Sequence, residues 1–346
     1  MAYTMRDVAR RAGVSPATVS RVLNKTHYIA DETRNRVLHV VDELNYFKNV
    51  HARRLATGKS DLFGLVISDI ANPYFPEVIR GFQKAAWEKG FDVILFNTEY
   101  NREHTESIVR KLVQSDVRGV AIMTSSIDST TTQELTDAGI GVVFSNLFSA
   151  GKLMSNIRVD YSKGIAQAIE HAADLGHRRA AVIAGPQGNR TAATITQALV
   201  KGLTRKGMKP LSVTNCNYRL DAGASAVKGI LVAPNIPTII FCGSDLIAMG
   251  AMSALERAGI KVPEDISIVG IDNIAFATLA RPPLTTINVP REELGKTAFH
   301  ALERILQLKR HGGAEYTLET DLVVRQSTAP AHANGLQLKT NRKAAR

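Results

Sequence analysis

Two patterns of apolar and polar residues divide the chain at about residue 60. From Asp61 onward, short runs of aliphatic residues alternate with longer stretches in which apolar residues recur every three or four positions. The short runs lack polar alternation, which predicts strands covered on both faces, as in parallel sheets built from right-handed βαβ units. The pattern therefore predicts an α/β fold, and it leaves open whether the body forms one sheet or two lobes. The predicted strands are residues 62–67, 93–96, 120–123, 142–144, 181–184, 239–242 and 268–271.

Helical patterns lie between these runs, and most of them stop at a glycine. A glycine directly after the last apolar turn is typical of a helix C-terminus, because it adopts the left-handed conformation without steric penalty. The predicted helices are residues 76–89, 103–114, 162–175, 194–206 and 245–258, with glycines at 90, 176, 207 and 259.

The first 45 residues differ from the rest, with three helical patterns and no candidate strand. Thr4 and Asp7 form a capping pair in front of the first pattern, and Gly13 ends it. Ser15 caps the second pattern, and Pro16 takes the first helical position, where a missing N–H is harmless. Two short helices joined by a tight turn predict a helix-turn-helix.

Charge is concentrated at the two ends of the chain. The formal net charge is +11; residues 1–60 carry 11 basic against 5 acidic side chains, and residues 331–346 carry 4 basic and no acidic ones. A basic terminal module on a neutral body is typical of a protein in which one small part contacts a polyanion. The sequence shows neither a secretory signal nor an apolar stretch long enough to span a membrane, which predicts a cytoplasmic protein.

The second helix of a helix-turn-helix enters the major groove, so its exposed early side chains meet base edges. Arg21 can donate two hydrogen bonds to a guanine, whereas Pro16 and Ala17 offer apolar contacts, for example to a thymine methyl group. The alternative is that Arg21 is only a solvated surface residue; the complete two-helix pattern and the basic charge favour DNA binding. The hydroxyl side chains of this segment can donate hydrogen bonds to DNA phosphate oxygens. They belong to Ser15, Thr18 and Ser20.

The segment from Thr4 to Asn24, TMRDVARRAGVSPATVSRVLN, resembles the opening of the LacI/GalR family of bacterial repressors. The resemblance continues through residues 31–34, 44–46, 72–75, 245–251 and 262–273, so it covers nearly the whole chain. It implies a small all-α helix-turn-helix head and an α/β two-lobed body with parallel sheets, similar to periplasmic binding proteins. It also implies a dimer in which a small molecule between the lobes changes operator affinity. Thr4 and Asn24 complete the expected DNA-contacting set.

Four segments are expected: a helix-turn-helix domain at 1–47, a hinge helix at 48–60, an effector-binding and dimerisation domain at 61–330, and a basic disordered tail at 331–346. In the family, the two hinge helices of a dimer lie in the minor groove, where an apolar side chain wedges between base pairs. A flexible linker is the alternative, and Lys48 stands where the family usually has proline. By position, Asn49 is expected to cap the hinge helix, Ala52 to pack against the hinge helix of the other subunit, Arg53 to contact DNA, and Leu55 to form the wedge.

The resemblance puts the effector at the carboxyl ends of the strands, where open α/β sheets bind ligands. Aromatic rings and carboxylates there suit a neutral, hydroxyl-rich molecule. Sugar-binding members usually carry an arginine where this chain has Ile195, so Arg190 becomes the candidate for that guanidinium. The alternative to effector contact, for any one of these candidates, is a structural role in the core, in a helix cap or in a turn. The expected effector contacts are Asp69, Tyr74, Phe75, Ser125, Asn146, Asp160, Arg190, Tyr218, Asp245 and Asp272.

The sequence thus predicts a repressor of a metabolic, carbohydrate-utilisation operon that binds a palindromic operator as a homodimer. A sugar or sugar derivative is favoured over a nucleobase as effector, and no cofactor, metal ion or membrane partner is expected. An enzyme is disfavoured because the sequence has no phosphate loop, nucleophile elbow or HExxH metal motif. Two alternatives stay open: an effector-independent regulator with a degenerate cleft, and a sugar-binding receptor, which the basic head disfavours.

Overall fold

The computed structural model describes residues 3–24, 28–46, 60–124, 127–147, 149–208, 210–307 and 312–332. The chain forms two compact units, Met1–Ser60 and Asp61–Arg346. The predicted hinge, apart from Ser60, lies outside the described residues. Within those ranges, no helix is both long and apolar enough to cross a membrane.

The first unit consists of three helices around a small aliphatic core. Thr4 and Asp7 bond each other reciprocally in front of the first helix, and Gly13 ends it with a φ of +64°. Val8, Val19 and Val37, one from each helix, are fully buried, so the core joins all three. The helices are α1 Met5–Ala12, α2 Pro16–Asn24 and α3 Asp31–Glu43.

The second unit contains two six-stranded sheets, and each sheet with its helices forms one lobe. In lobe 1 all strands are parallel, in the order β11-β5-β4-β3-β1-β2. The strands are β1 Leu62–Ile67, β2 Asp92–Asn97, β3 Gly119–Met123, β4 Gly141–Ser145, β5 Met154–Asp160 and β11 Glu315–Glu319. The helices are α4 Phe75–Glu88, α5 Arg102–Gln114, α6 Ser129–Asp137 and α11 Arg291–Gln307.

Lobe 2 repeats this arrangement in the order β12-β10-β9-β8-β6-β7, with β12 alone antiparallel to its neighbour. The strands are β6 Ala180–Ala184, β7 Pro210–Asn215, β8 Ile239–Cys242, β9 Ser267–Asp272, β10 Thr285–Asn288 and β12 Asp321–Val323. The helices are α7 Ser162–Asp174, α8 Arg190–Arg205, α9 Leu220–Leu231 and α10 Asp245–Arg257, with a 3₁₀ turn at Ala275–Thr278. The predicted α/β fold is confirmed, and the sheets resolve it into two lobes.

The chain passes between the lobes three times: after β5, after β10, and between β11 and β12. The second crossing brings α11 back onto lobe 1, where it packs tightly against α4. A Cβ atom at Gly81 would lie 2.1 Å from the carbonyl oxygen of Glu292, and one at Gly295 would lie 2.0 Å from that of Val78. Glycine on both helices therefore lets the two backbones touch.

Two sequence predictions change at segment boundaries. Helix α8 begins at Arg190, four residues before the predicted start at 194, because Asn189 caps it by accepting the N–H of Ala192 at 2.9 Å. The tail was expected to be disordered from residue 331, yet the Ala331 N–H donates to the Leu175 carbonyl at 2.8 Å. The ordered chain thus reaches at least this residue, and residues 333–346 lie outside the described part.

Candidate DNA-reading helix and effector cleft

Helix α2 presents a compact exposed surface at its start. The Ser15 hydroxyl accepts the N–H of Thr18 at 3.1 Å, which caps the helix, and Pro16 occupies the first helical position. Pro16, Ala17 and Arg21 are exposed, while Val19 on the opposite face is buried. Arg21 forms no ion pair with any other residue in the described ranges. Its guanidinium is therefore available for a base or a phosphate.

The remaining predicted DNA contacts divide into three groups. Thr18 and Ser20 are half-buried on α2. The Thr4 hydroxyl donates a hydrogen bond to the Asp7 carboxylate at 2.6 Å, so the observed role of Thr4 is to cap α1. Asn24 is the last residue of α2, and its side chain lies outside the described part. The predicted hinge contacts also lie outside the described residues; these are Asn49, Ala52, Arg53 and Leu55.

The body contains a small inner cavity of about 120 Å³ between the carboxyl ends of the two sheets. Lobe 1 contributes Tyr74 and Phe75 at the start of α4, and lobe 2 contributes Tyr218 after β7 and Asp272 at the end of β9. Tyr161, at the first crossing, completes one wall. Parallel strands end on the same edge of a sheet, which is why residues distant in sequence meet here. Within the described part of the chain, no lysine or arginine lines this cavity.

Two wider chambers adjoin the inner cavity. One, of about 740 Å³, is lined by Asp69 and Glu99 from lobe 1 and Arg219 from lobe 2. The other, of about 730 Å³, is lined by Asp160, and Asn146 lies between it and the inner cavity. The cleft is therefore a narrow waist between two broader openings.

Local hydrogen bonds hold the side chains that line the waist. The Asn72 side-chain oxygen accepts the Tyr74 N–H at 3.0 Å, which orients the entry to α4. Asn146 has a φ of +57°, and its side-chain oxygen accepts the Val159 N–H at 2.9 Å. Tyr218 lies against Gly185, where a Cβ atom would come within 2.5 Å of its hydroxyl. Contacts with the backbone therefore orient the side chains of Asn72, Asn146 and Tyr218.

Tyrosines dominate the chemistry of the cavity. Burial raises the pKa of Tyr100 to about 12 and raises the pKa of Tyr74, Tyr161 and Tyr218 further still. All four hydroxyls therefore stay protonated and can both donate and accept hydrogen bonds. The rings of Tyr100 and Tyr218, from opposite lobes, approach to 6.5 Å between centroids.

The two predicted carboxylates of lobe 2 have different surroundings. Asp272 lines the cavity in a strained backbone conformation, with a φ of +121°. Burial raises the pKa of its carboxyl group, and the neighbouring Asp245 raises it further. The expectation that Asp245 contacts the effector is wrong in this structure: Asp245 is fully buried behind the cavity wall, accepting the Ile274 N–H at 2.9 Å and the Thr286 hydroxyl. Its burial raises its pKa to about 7.

Arg190 also lies elsewhere than expected. It is exposed and does not line the cavity; its guanidinium donates to the Leu147 carbonyl of lobe 1 at 2.9 Å. Ile195, at the position where an arginine was expected, forms an apolar part of the cavity wall and is buried. The guanidinium of Arg190 therefore bridges the lobes and does not replace the absent arginine. Ser125 lies outside the described residues.

Most residues that line the cavity were not among the sequence candidates, and the polar ones that were missed include Asn72, Tyr100, Tyr161 and Asn189. Tyr100 lies three residues past the end of β2, so the rule that sites follow strand ends could have found it. Tyr161 directly follows β5, a strand whose alternating polar pattern was not recognised.

Comparison with known proteins gives the family. The family model for bacterial regulatory proteins of the lacI family matches residues 4–49, and that for the periplasmic binding protein-like domain matches residues 169–328. The HTH-type transcriptional repressor PurR of Photobacterium profundum is 33% identical over 331 residues, covering 94% of this chain and 98% of the relative. The chain belongs to the lacI family. Another relative, the HTH-type transcriptional repressor CytR of Escherichia coli (strain K12), is 31% identical, with 94% and 96% covered.

Solved structures agree with this assignment. The lac repressor dimer bound to operator and the anti-inducer ONPF matches with a TM-score of 0.85 at 28% identity, covering 95% of this chain and 100% of that one. The complex of the regulator CelR with cellobiose matches with a TM-score of 0.70 at 29% identity, with 94% and 99% covered. The predicted fold class and family are confirmed, and this lacI-family chain is a DNA-binding transcriptional repressor rather than an enzyme.

Proposed function

We propose that this repressor binds a palindromic operator as a homodimer, and that a small molecule in the inner cavity changes its operator affinity. The cavity carries the proposal, because both lobes form its walls and a ligand there contacts both at once. A ligand can shift a conformational equilibrium only if it binds one lobe arrangement better than another, and contacts to two movable walls provide that difference. The dimeric, operator-bound lac repressor supports the same arrangement for this chain.

The walls select a neutral ring that carries hydrogen-bond donors. An anionic effector is disfavoured because Asp272 lines the cavity and no cationic side chain among the described residues does. The rings of Tyr74, Phe75 and Tyr218 line the cavity and offer apolar surface against which a ligand ring can pack. A sugar meets these demands, and two similar regulators are known with sugars bound: CelR with the disaccharide cellobiose, and a LacI family regulator from Enterococcus faecium with ribose. A nucleoside is the second candidate, because the aromatic walls also suit a planar base and the adjoining chambers leave room for a second ring.

The decisive experiment measures operator binding of the full chain by fluorescence anisotropy in the presence of monosaccharides, disaccharides, free nucleobases and nucleosides. We expect one class to change the operator dissociation constant by about 5- to 150-fold, the usual range of allosteric coupling. Tyr218→Ala should abolish that change and leave operator affinity without effector intact. Trp87→Ala, which alters an exposed aromatic residue on α4, is the matched control. Intact operator binding with no response to any compound would instead establish an effector-independent repressor.

The DNA-contacting roles follow from α2 and from the expected hinge. We assign base contacts to Pro16, Ala17 and Arg21, since these are the exposed side chains of the helix that would enter the major groove. Leu55 is assigned the minor-groove wedge on the family resemblance alone. Leu55→Gly should weaken operator binding while effector affinity measured without DNA stays unchanged; unaltered operator affinity would remove the wedge.

A further inference from the structure

A buried arginine stands at the second crossing between the lobes. Arg291 is the first residue of α11 and directly follows the segment Val289-Pro290, which leaves β10 of lobe 2. Its side chain is only 4% exposed. A buried guanidinium must be neutralised and hydrogen-bonded to be tolerated, so its partners show what it holds together.

On the side of lobe 2, Arg291 holds the turn that carries Asp272. Its Nη2 atom donates to the carbonyl oxygen of Asn273 at 2.7 Å. Asn273 has a φ of +57° and is held from its other side by Arg325, whose Nη2 donates to its side-chain oxygen at 2.6 Å. The position of the Asp272 carboxyl group in the cavity therefore depends on a turn that two arginines fix.

On the side of lobe 1, the same Nη2 atom contacts the Glu77 carboxylate at 2.9 Å. Glu77 lies in the first turn of α4, two residues after Phe75, which lines the inner cavity. One nitrogen of one side chain thus joins the two turns that form opposite walls of the cavity. Its Nε atom is buried and has no hydrogen-bond partner among the described residues, so the present arrangement does not use every donor of the guanidinium.

We propose that Arg291 is a positioning residue that links the Asp272 turn of lobe 2 to the start of α4 in lobe 1, so that both cavity walls respond together to an occupant. This inference rests on the proposed effector function. Because α4 and α11 are in backbone contact at Gly81 and Gly295, a shift of Arg291 cannot be absorbed between these helices. It is passed to lobe 1 as a whole, whose movement is the signal that operator binding would detect.

The test breaks each half of the link separately in the full chain. Glu77→Gln removes the charge on the lobe 1 side, and Arg291→Met removes both halves with an apolar chain of similar length. Arg80→Met is the matched control, because Arg80 also pairs with α11, through Glu292 at 2.7 Å, but is 65% exposed and has no partner in lobe 2 within the described ranges. Thermal unfolding checks that each variant is folded.

The first readout is the ratio of operator dissociation constants with and without each probe: ribose, glucose and the four ribonucleosides. Some probes should change the operator dissociation constant of the wild type. For such a probe, we expect the fold-change to be at least about fivefold smaller in Glu77→Gln, which is a substantial part of a typical coupling. Arg80→Met should show the same fold-change as the wild type. A structural role alone would lower stability and leave the ratio intact. An unchanged ratio in both Glu77→Gln and Arg291→Met would overturn the proposal.

The second readout needs no effector and so separates this inference from the proposed function. Amide hydrogen exchange of the unliganded chain reports the Ile274 N–H, which is bonded to Asp245 next to the held turn. We expect Glu77→Gln, a change in lobe 1, to increase exchange around residues 272–275 in lobe 2, and Arg80→Met to have no such effect. Exchange that stays at the wild-type level in Glu77→Gln, or rises equally in Arg80→Met, would refute the link even if no probe alters operator binding.

Discussion

The contact between Gly185 and Tyr218 gives a sharp test of the cavity geometry. A Cβ atom added at Gly185 would lie 2.5 Å from the tyrosine hydroxyl oxygen and 2.7 Å from two ring carbons. Ordinary carbon contacts are about 3.5–4.0 Å, so Gly185→Ala must displace the ring by about 1 Å. Tyr218 is only half-buried and can move outward, so the destabilisation should fall near the lower end of the overpacking range, about 1 kcal/mol.

The displaced ring should also weaken effector binding. Aromatic packing contributes about 0.5–1.5 kcal/mol beyond area burial, which corresponds to about a 2- to 13-fold weaker affinity. Isothermal titration calorimetry measures the affinity, and denaturant unfolding measures the stability. Gly229→Ala is the control, because a Cβ atom there meets no atom within 4 Å; it should leave both the stability and the affinity undiminished.

A double-mutant cycle can refute this reasoning. In a Tyr218→Ala background the obstacle is absent, so Gly185→Ala should then change the free energy of unfolding by less than about 0.5 kcal/mol, the level at which independent sites add. If Gly185→Ala destabilises the chain equally with and without the tyrosine ring, the ring does not pack on Gly185, and the proposed wall is incorrect.

Two further predictions concern the head and the stability of the body. Arg21→Ala should lose about 1–3 kcal/mol of discrimination at one base pair per half-site, measured by competition with single-substituted operators; a uniform loss on all DNA would contradict base reading. His177 is 1% exposed between Thr238 and the Ala329 carbonyl, and burial lowers its pKa to about 4. Because the unfolded chain binds this proton near pH 6.5 and the folded chain does not, stability should fall as pH drops from about 6.5 towards about 4. His177→Gln should flatten this slope relative to the wild type, and an identical slope in both would refute the assignment.

Strands that contain a continuous aliphatic run were predictable, including β2 at a sheet edge, whereas strands interrupted by polar residues were not. All seven predicted strands are present, because a run such as 239–242 can only be strand or buried helix and is too short for the latter. The missed strands include β7 and β11, which lie at sheet edges and alternate between exposed and partly buried residues. Their polar residues face solvent, and so they resemble loops in the sequence.

The cavity was predictable in its location but not in its membership. Asp245 and Asp272 both stand at strand ends, and the sequence does not distinguish them. Asp272 lines the cavity because its backbone adopts a φ of +121°, whereas Asp245 turns inward to the Ile274 N–H and the Thr286 hydroxyl. Those partners lie 29 and 41 residues away in the sequence. The pattern of residues around Asp245 therefore cannot indicate them.

The sequence by itself determined the caps and stops of the head helices, the α/β alternation and the family, since these depend on residues within a few positions or on a continuous motif. The tertiary structure alone decided which strands each of the two lobes contains, that Arg190 bridges the lobes, and that Arg291 lies between Glu77 and Asn273. Such contacts join segments up to about 214 residues apart, and their geometry follows from three chain crossings and from helix packing. No local periodicity encodes distances of that kind, because periodicity reports only which face of an element is buried.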